Sequence, residues 1–247
     1  MSIALLTMTY YANVEETRFH LACQMLGNAK AVGYMTAVLD GSPDDLVSLA
    51  FERIGTVIFK QTAQGMGPAR RELFLKASAN KPGIFLWSEE KPDIVRLIPQ
   101  IVEPIARGWA DIVIPFRTDK SWESYPAYQA ESEKAANAVY AEVTGRPFDA
   151  MFGPVAFRRE MLHYFYECNP AEQFGTHDTY IYHIAPLVAM AAGARVVSVP
   201  VDFYYPSVQK AEELAALNDA IREKRKRQFE ECTANYRAAA AALNLKW

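Results

Sequence analysis

Alternation of short apolar segments with helical segments constrains the fold of this chain more than any other feature. Six short apolar segments containing β-branched residues have the length and composition of strands: 3–8, 35–39, 56–59, 84–87, 111–116 and 196–201. Four segments that separate them carry apolar residues at helical spacing: 14–31, 46–54, 68–79 and 92–106. This alternation predicts an α/β fold with a mostly parallel sheet and helices on both faces. Ligands of such sheets bind beyond the carboxyl ends of the strands.

The regular alternation stops after Arg117, where a polar and aromatic segment precedes a helical pattern at 128–144. The last part of the chain is mostly helical and carries a basic cluster near Arg225. No repeat or low-complexity linker divides the sequence, so we predict one domain over residues 1–247. Its parts would be a first half at about 1–117, a second half at about 118–210 and a helical tail at 211–247.

Composition and charge exclude several classes of protein. With 51% hydrophobic and 22% charged residues in 247, the chain is neither disordered nor fibrous. A net charge of −3 implies no general attraction to nucleic acid. Three widely spaced cysteines suggest no disulfide framework and favour a reducing cytoplasm. No apolar run approaches the roughly 20 residues of a membrane-spanning helix, and the first apolar stretch, broken at Thr7, is too short for a secretory signal.

Polar residues follow the first two predicted strands. Asp40 ends the second strand before a Gly-Ser-Pro turn, where its carboxylate could accept hydrogen bonds from a nucleobase or a ribose. Capping of the next helix by Asp40 or Asp44 is the alternative. Thr9 and Tyr10 follow the first strand, and a tyrosine there either stacks on a base or packs at the sheet edge.

A glycine-rich turn leads into the third helical segment. Gly65 and Gly67 precede a helix start whose exposed N–H groups, with Arg70 or Arg71, would suit a diphosphate. The spacing also imitates a dinucleotide-binding fingerprint, with Glu89 or Glu90 about 20 residues later. However, Arg70 stands where that motif has its third glycine. The alternative is a flexible turn that leads into a helix and binds no ligand.

An acidic cluster, Glu89 and Glu90, follows the apolar strand at 84–87. Carboxylates at a strand end are hard oxygen ligands that could hold Mg²⁺ or Mn²⁺ against a diphosphate. They could equally be solvated residues of a first helical turn, favoured by the helix dipole.

In order along the chain, these motifs resemble GT-A glycosyltransferases, especially family 2. The resemblance continues at Phe152-Gly153-Pro154, at Arg158-Arg159-Glu160 and at Gly175-Thr176-His177-Asp178, and it spans about residues 3–206. The Phe-Gly-Thr-His-Asp-Thr stretch is also similar to a segment of mannosylglycerate synthase-like retaining enzymes, which leaves the anomeric outcome open.

The resemblance implies a Rossmann-like GT-A domain that transfers a sugar, a hexose by expectation, from a nucleotide-diphosphate-sugar to a hydroxyl acceptor. Its nucleotide-sugar contacts would be Thr9, Tyr10, Asp40, Gly65, Gly67, Arg70 and Arg71. Glu89 and Glu90 stand where the family has an Asp-x-Asp motif that holds a divalent cation, Mg²⁺ or Mn²⁺. Asp178 would be the general base.

Two other functions stay open at this point. One is an NAD(P)-dependent oxidoreductase that uses Gly65, Gly67 and Glu89. The other is a catalytically silent protein that binds a nucleotide-sugar and never turns it over. A sugar nucleotidyltransferase is disfavoured because its Gly-rich loop would follow the first strand directly, where this chain has 9–13, Thr-Tyr-Tyr-Ala-Asn.

Overall fold

The computed structural model describes residues 1–245. Its strands are β1 Ile3–Thr9, β2 Met35–Asp40, β3 Val57–Lys60, β4 Ile84–Trp87, β5 Ile112–Val113, β6 Phe116–Arg117, β7 Val155–Arg158, β8 Val196–Val197 and β9 Pro200–Val201. Its helices are α1 Thr17–Ala31, α2 Asp45–Ile54, α3 Met66–Ala77, α4 Ile94–Ala106, α5 Asp119–Ser124, α6 Ala127–Thr144, α7 Leu162–Tyr166, α8 Pro170–Phe174, α9 Ile181–Ala191, α10 Ser207–Ala215 and α11 Asp219–Ala242. Lys246 and Trp247, the end of the predicted tail, lie outside the described residues.

Seven strands form one sheet in the order β3-β2-β1-β4-β7-β5-β8. All neighbours run parallel except β7, which is antiparallel to both β4 and β5. Thr9 pairs with Asp40 and Asp40 with Lys60, so the carboxyl ends of β1, β2 and β3 meet at one edge. The predicted mostly parallel α/β sheet is confirmed. Because β7 comes from the second half and lies between two strands of the first, both halves contribute to one sheet.

The structure differs from the sequence prediction in the later strands. The predicted strands at 111–116 and 196–201 are each interrupted, and their second parts, β6 and β9, pair as a separate two-stranded ribbon. Pro115 lies in the first interruption and has no N–H to give to a sheet ladder. Strand β7 was absent from the predicted set, although its residues had been noted for their resemblance.

Two layers of apolar side chains cover the faces of the sheet. Phe85 on β4 faces a layer that includes Phe74 and Phe165, whereas its neighbour Leu86 faces the layer that includes Ile98 of α4. Side chains of a strand alternate between the two faces of its sheet, which explains why β4 is buried on both sides. Within residues 1–245, no helix is both long and apolar enough to span a membrane.

Candidate active site at the carboxyl edge of the sheet

A cavity of about 700 Å³ lies beyond the carboxyl end of β4 and extends to helix α11. One wall comes from the first half of the chain and carries Arg18, Arg70, Glu89, Glu90 and Lys91. A second wall comes from the second half and the tail, with side chains from α6, α9, α10 and α11. The two parts that the sequence separates therefore line one space.

Glu89 lies at the centre of the first wall. Its Oε1 is 3.7 Å from Nη2 of Arg70 and accepts a hydrogen bond of 3.3 Å from the Tyr182 hydroxyl. Its Oε2 lies 3.4 Å from the ammonium of Lys91. Burial alone raises the pKa of this carboxyl, but the charges of Lys91, Arg70 and the more distant Arg18 lower it to about 2. Glu89 is thus ionised at neutral pH while its side chain stays 38% exposed.

In contrast to the partly exposed Glu89, Arg70 is almost fully buried, with only 2% of its surface exposed. It lies 4.8 Å from the ring centroid of Tyr182 and 5.7 Å from those of Trp87 and Tyr180. It also donates to the carbonyl of Thr179. Its Nε has no hydrogen-bond partner among residues 1–245. Aromatic faces and carbonyls make a buried cation tolerable, and they fix it beside Glu89.

Glu90 faces a different group of residues from Glu89. Its Oε1 lies 2.5 Å from Nη2 of Arg18 and accepts a hydrogen bond of 3.1 Å from the Tyr11 hydroxyl. Among residues 1–245, no three His, Cys, Asp or Glu side chains come together as a metal site. The two carboxylates predicted as metal ligands are both at the cavity, but each is held by its own cations, and their role as ligands stays a prediction.

The glycine-rich turn is fixed by the helix that follows it. Gly65 has φ +89°, in the region that favours glycine, and precedes α3. Glu72 of α3 accepts hydrogen bonds from the backbone N–H of Thr62 and Ala63 and from the Thr62 hydroxyl. The side-chain bond from Lys76 and these hydrogen bonds outweigh the effect of burial and lower the pKa of Glu72 to about 2. Hydrogen bonds to Glu72 therefore hold Thr62 and Ala63, just before the turn, against helix α3.

Asp178 lies directly against this turn. Its Oδ2 is 2.9 Å from Nη2 of Arg71. A Cβ built on Gly67 would lie 2.3 Å from the Asp178 carboxyl carbon, so only glycine allows this approach. The Asp178 side chain is 24% exposed, yet the cavity wall is formed by Thr179 and Tyr180 rather than by Asp178 itself. The structure thus joins Gly67, Arg71 and Asp178, while the base role of Asp178 stays untested.

Helix α11 holds the loop that carries Asp178. The Asn235 side chain, which is buried, accepts a hydrogen bond of 3.2 Å from the His177 N–H and donates one of 2.5 Å to the His177 carbonyl. The helical tail is therefore part of the site. The sequence predicts that this tail is helical and carries a basic cluster, but not its contact with the loop at His177.

Asp40 is buried at the end of β2, with 1% of its surface exposed. One carboxylate oxygen accepts 3.1 Å hydrogen bonds from the Thr9 hydroxyl and the Ser42 N–H, and the other accepts from the Ser48 hydroxyl. These hydrogen bonds of the carboxylate connect the end of β1 to the turn after β2. Tyr10, by contrast, is 67% exposed at the same edge. A nucleoside contact for these residues stays a prediction.

A buried ion-pair cluster shapes the second wall, and sequence reasoning missed it. The Arg117 guanidinium donates to both oxygens of Asp149 at 2.7 and 2.8 Å and to Glu133 at 2.5 Å. It also lies 3.7 Å from the ring centroid of Trp122. The opposing charges raise the pKa of Arg117 well above its ordinary value despite burial. The sequence signal was available only as Arg117 ending an apolar strand.

His183 completes this wall. Its Nδ1 lies 2.7 Å from the Tyr236 hydroxyl, and its Nε2 is buried with no partner in the part of the chain that the structure describes. Burial first, and the charge of Arg70 second, lower its pKa to about 3. His183 is therefore a neutral imidazole at physiological pH.

The fold matches solved structures across nearly the whole chain. One is glucosyl-3-phosphoglycerate synthase from Mycobacterium tuberculosis in complex with Mn²⁺, UDP-glucose and phosphoglyceric acid, with TM-score 0.61 and 13% identity over 97% of this chain and 80% of that one. The same enzyme in complex with UDP has TM-score 0.60 and 14% identity over the same shares. The chain has the GT-A fold of these structures. No family model matches the sequence, and neither does any curated protein.

Proposed function

We propose that this protein is a glycosyltransferase that moves a sugar, a hexose by expectation, from a nucleotide-diphosphate-sugar to a hydroxyl acceptor. One observation carries the proposal: a single cavity at the carboxyl edge of a GT-A sheet has a charged first-half wall and a polar, aromatic second-half wall. Two substrates can therefore meet in one space, which group transfer requires.

The charged wall suits a diphosphate. Arg18, Arg70 and Lys91 converge there on two carboxylates, and the unpartnered Nε of Arg70 is one further donor. Arginine guanidinium groups bind phosphate oxygens with paired hydrogen bonds, and lysine binds them as a point charge. The neighbouring synthase binds UDP-glucose, which supports a uridine donor as the first candidate.

A divalent cation fits this wall if the donor brings part of its coordination. Glu89 offers one ionised, partly exposed carboxylate. Mg²⁺ sites of this kind commonly use one or two carboxylates with substrate phosphates. We propose Glu89 as the protein ligand, with Glu90 as a second. When bound, the cation would neutralise charge that develops on the leaving diphosphate. The Mn²⁺ complex of the neighbouring synthase supports a divalent cation as cofactor.

The transfer itself needs a base for the acceptor hydroxyl if the reaction inverts the anomeric centre. The acceptor oxygen then bonds to the anomeric carbon, the bond from that carbon to the diphosphate oxygen breaks, and the hydroxyl proton passes to the base. We propose Asp178 as this base; it lies next to Thr179 and Tyr180 of the cavity wall and is paired with Arg71 at 2.9 Å. Asp178→Asn should then abolish transfer and leave donor binding largely intact; unchanged turnover would remove Asp178 from the mechanism.

Thermal shift against UDP, GDP, their sugar conjugates, NAD(H) and NADP(H), each with and without Mn²⁺, tests the proposal. A ligand at 100 times its Kd stabilises the folded state by about 2.7 kcal/mol, a Tm increase of about 5–10 °C for a chain of this size. We expect this response to one nucleoside diphosphate only. Stabilisation by a nicotinamide cofactor alone would instead establish the oxidoreductase. The structure favours that alternative less, because the Gly65–Gly67 turn lies five residues beyond the end of β3 rather than directly after it.

We further propose a cytoplasmic location. Cys168 and Cys232 are buried and Cys23 is partly buried, and all three are free thiols. Free thiols are typical of a reducing compartment.

A further inference from the structure

The second wall of the cavity contains buried polar atoms that lack partners. Among residues 1–245, three such atoms are Gln129 Oε1 on α6, His183 Nε2 on α9 and Glu213 Oε2 on α10, and the hydroxyl of Tyr125 is a fourth; all four residues line the cavity. Gln129 and His183 are 6% and 3% exposed. An unpartnered buried polar atom is costly, and in native structures such atoms are few and call for a partner. Their grouping around one cavity indicates that a ligand supplies the missing hydrogen bonds.

The orientation of Gln129 follows from its neighbour. Its Nε2 donates a 2.8 Å hydrogen bond to Oε1 of Glu133, and an ionised carboxylate can only accept. The amide oxygen of Gln129 must therefore face away from Glu133 and needs a donor. Glu213 is similar, because its Oε1 accepts from the Tyr205 hydroxyl at 2.8 Å and from Gln209 at 3.3 Å, while its Oε2 stays free.

These atoms define what the ligand must carry. Gln129 Oε1 and Glu213 Oε2 accept only, and His183 Nε2 donates or accepts according to its tautomer. Hydroxyl groups satisfy all three, since each can donate and accept. An anionic group would instead meet the carboxylates of Glu133 and Glu213. Three cations of α11, Lys224, Arg225 and Arg227, also line the cavity. Arg225 and Arg227 do little to offset the carboxylates, because their guanidinium groups already lie 3.7 Å from Glu133 and 4.0 Å from Glu231, and Lys224 is exposed to solvent.

We propose that this wall is the acceptor subsite and that it takes an uncharged polyhydroxylated molecule, a sugar or a polyol, through Gln129, His183 and Glu213. The inference rests on the proposed glycosyltransferase function and names its acceptor class. Tyr128 and Tyr180 also line the space, and aromatic side chains suit the apolar face of a sugar ring. The subsite adjoins the donor wall, because Tyr180 lies 5.7 Å from the Arg70 guanidinium and Tyr182, next to His183, donates to Glu89. An acceptor bound there lies beside the proposed donor.

Saturation-transfer NMR on the whole protein tests the subsite. The probes are glucose, myo-inositol and glycerol as neutral ligands and 3-phosphoglycerate as the charged one, each with UDP and Mn²⁺ present. We expect a signal from at least one neutral probe and a weaker one from 3-phosphoglycerate. Gln129→Met removes the amide oxygen, and Glu213→Gln replaces the free acceptor with an NH₂ donor. Each should weaken binding of the neutral probe at least tenfold and change the UDP Kd less than twofold.

Thr7→Val is the matched control. The Thr7 hydroxyl is also buried without a partner, but Thr7 does not line the cavity. Its loss should leave binding of the neutral probe unchanged. No signal from any neutral probe, stronger binding of 3-phosphoglycerate, or equal probe binding by wild type and both cavity variants would overturn the subsite. An absent UDP signal would instead count against the proposed donor, so the two failures are distinguishable.

Discussion

Gly67→Ala tests whether the turn before α3 sets the position of Asp178. The new Cβ would lie 2.3 Å from the Asp178 carboxyl carbon and 2.4 Å from its carbonyl oxygen, where ordinary contacts are 3.4–4 Å. Because the carbonyl is backbone, the loop must retreat by about 1 Å to reach ordinary packing distance. Such overpacking costs about 1–3 kcal/mol. Alanine in a helix recovers roughly 0.5–1 kcal/mol relative to glycine.

We therefore expect a net loss of stability of about 0.5–2 kcal/mol, which lowers Tm by about 1–8 °C. A shift of 1 Å in a reacting group can cost on the order of 100-fold in rate, so turnover at saturating donor should fall by that order. Gly27→Ala in α1 is the matched control, since a Cβ there meets nothing within 4 Å; it should raise Tm and leave turnover unchanged. Differential scanning calorimetry and a nucleoside-diphosphate release assay give both values. A Gly67→Ala variant that gains stability and keeps full turnover would refute the reasoning.

Three further predictions follow from single contacts. Glu72→Gln should lower stability by about 1–3 kcal/mol, since a charged acceptor of several hydrogen bonds is lost; an unchanged urea midpoint would contradict this. Lys91→Met should weaken nucleoside-diphosphate binding by about tenfold, or ~1.4 kcal/mol, in a calorimetric titration where the exposed Lys81→Met serves as control. The pKa of His183 is about 3 in the folded protein, below its value of about 6.5 in the unfolded chain. As pH falls from about 6.5 toward 3, the unfolded chain therefore binds a proton that the folded protein does not. The free energy of unfolding then decreases by at most about 1.4 kcal/mol per pH unit. His183→Gln should flatten that slope between pH 6.5 and 5 in urea titrations, and an unaltered slope would argue against it.

The sequence predicted the first half of the fold well because local patterns determine it. The predicted strand at 84–87 coincides with β4, and the predicted helix at 46–54 differs from α2 by one residue. Buried parallel strands and amphipathic helices are both visible as periodicity. The antiparallel β7 was missed because its pairing with β4 and β5 is a long-range feature, and its short apolar run carries no sign of its partners.

In the candidate site too, local features could be predicted and long-range contacts could not. The polar residues at the strand ends indicate which edge of the sheet carries the site, but the sequence does not show which charged side chains pair with each other. Glu89 and Glu90 are neighbours in sequence, yet they pair with different cations, since Arg18 and Arg70 come from different helices. Gln129 and His183 carried no motif at all. Only their missing partners in the folded protein reveal them.

Mass spectrometry of the reaction products tests the central claim most directly. The wild-type protein is incubated with the nucleotide-sugar that stabilises it, with Mn²⁺ and with the neutral sugar or polyol that binds. The account predicts release of the nucleoside diphosphate together with an acceptor that is heavier by one sugar unit, and loss of both in Asp178→Asn. Tight binding of the donor with no glycosylated acceptor from any of these compounds would contradict it and identify a protein that binds nucleotide-sugars without transferring them.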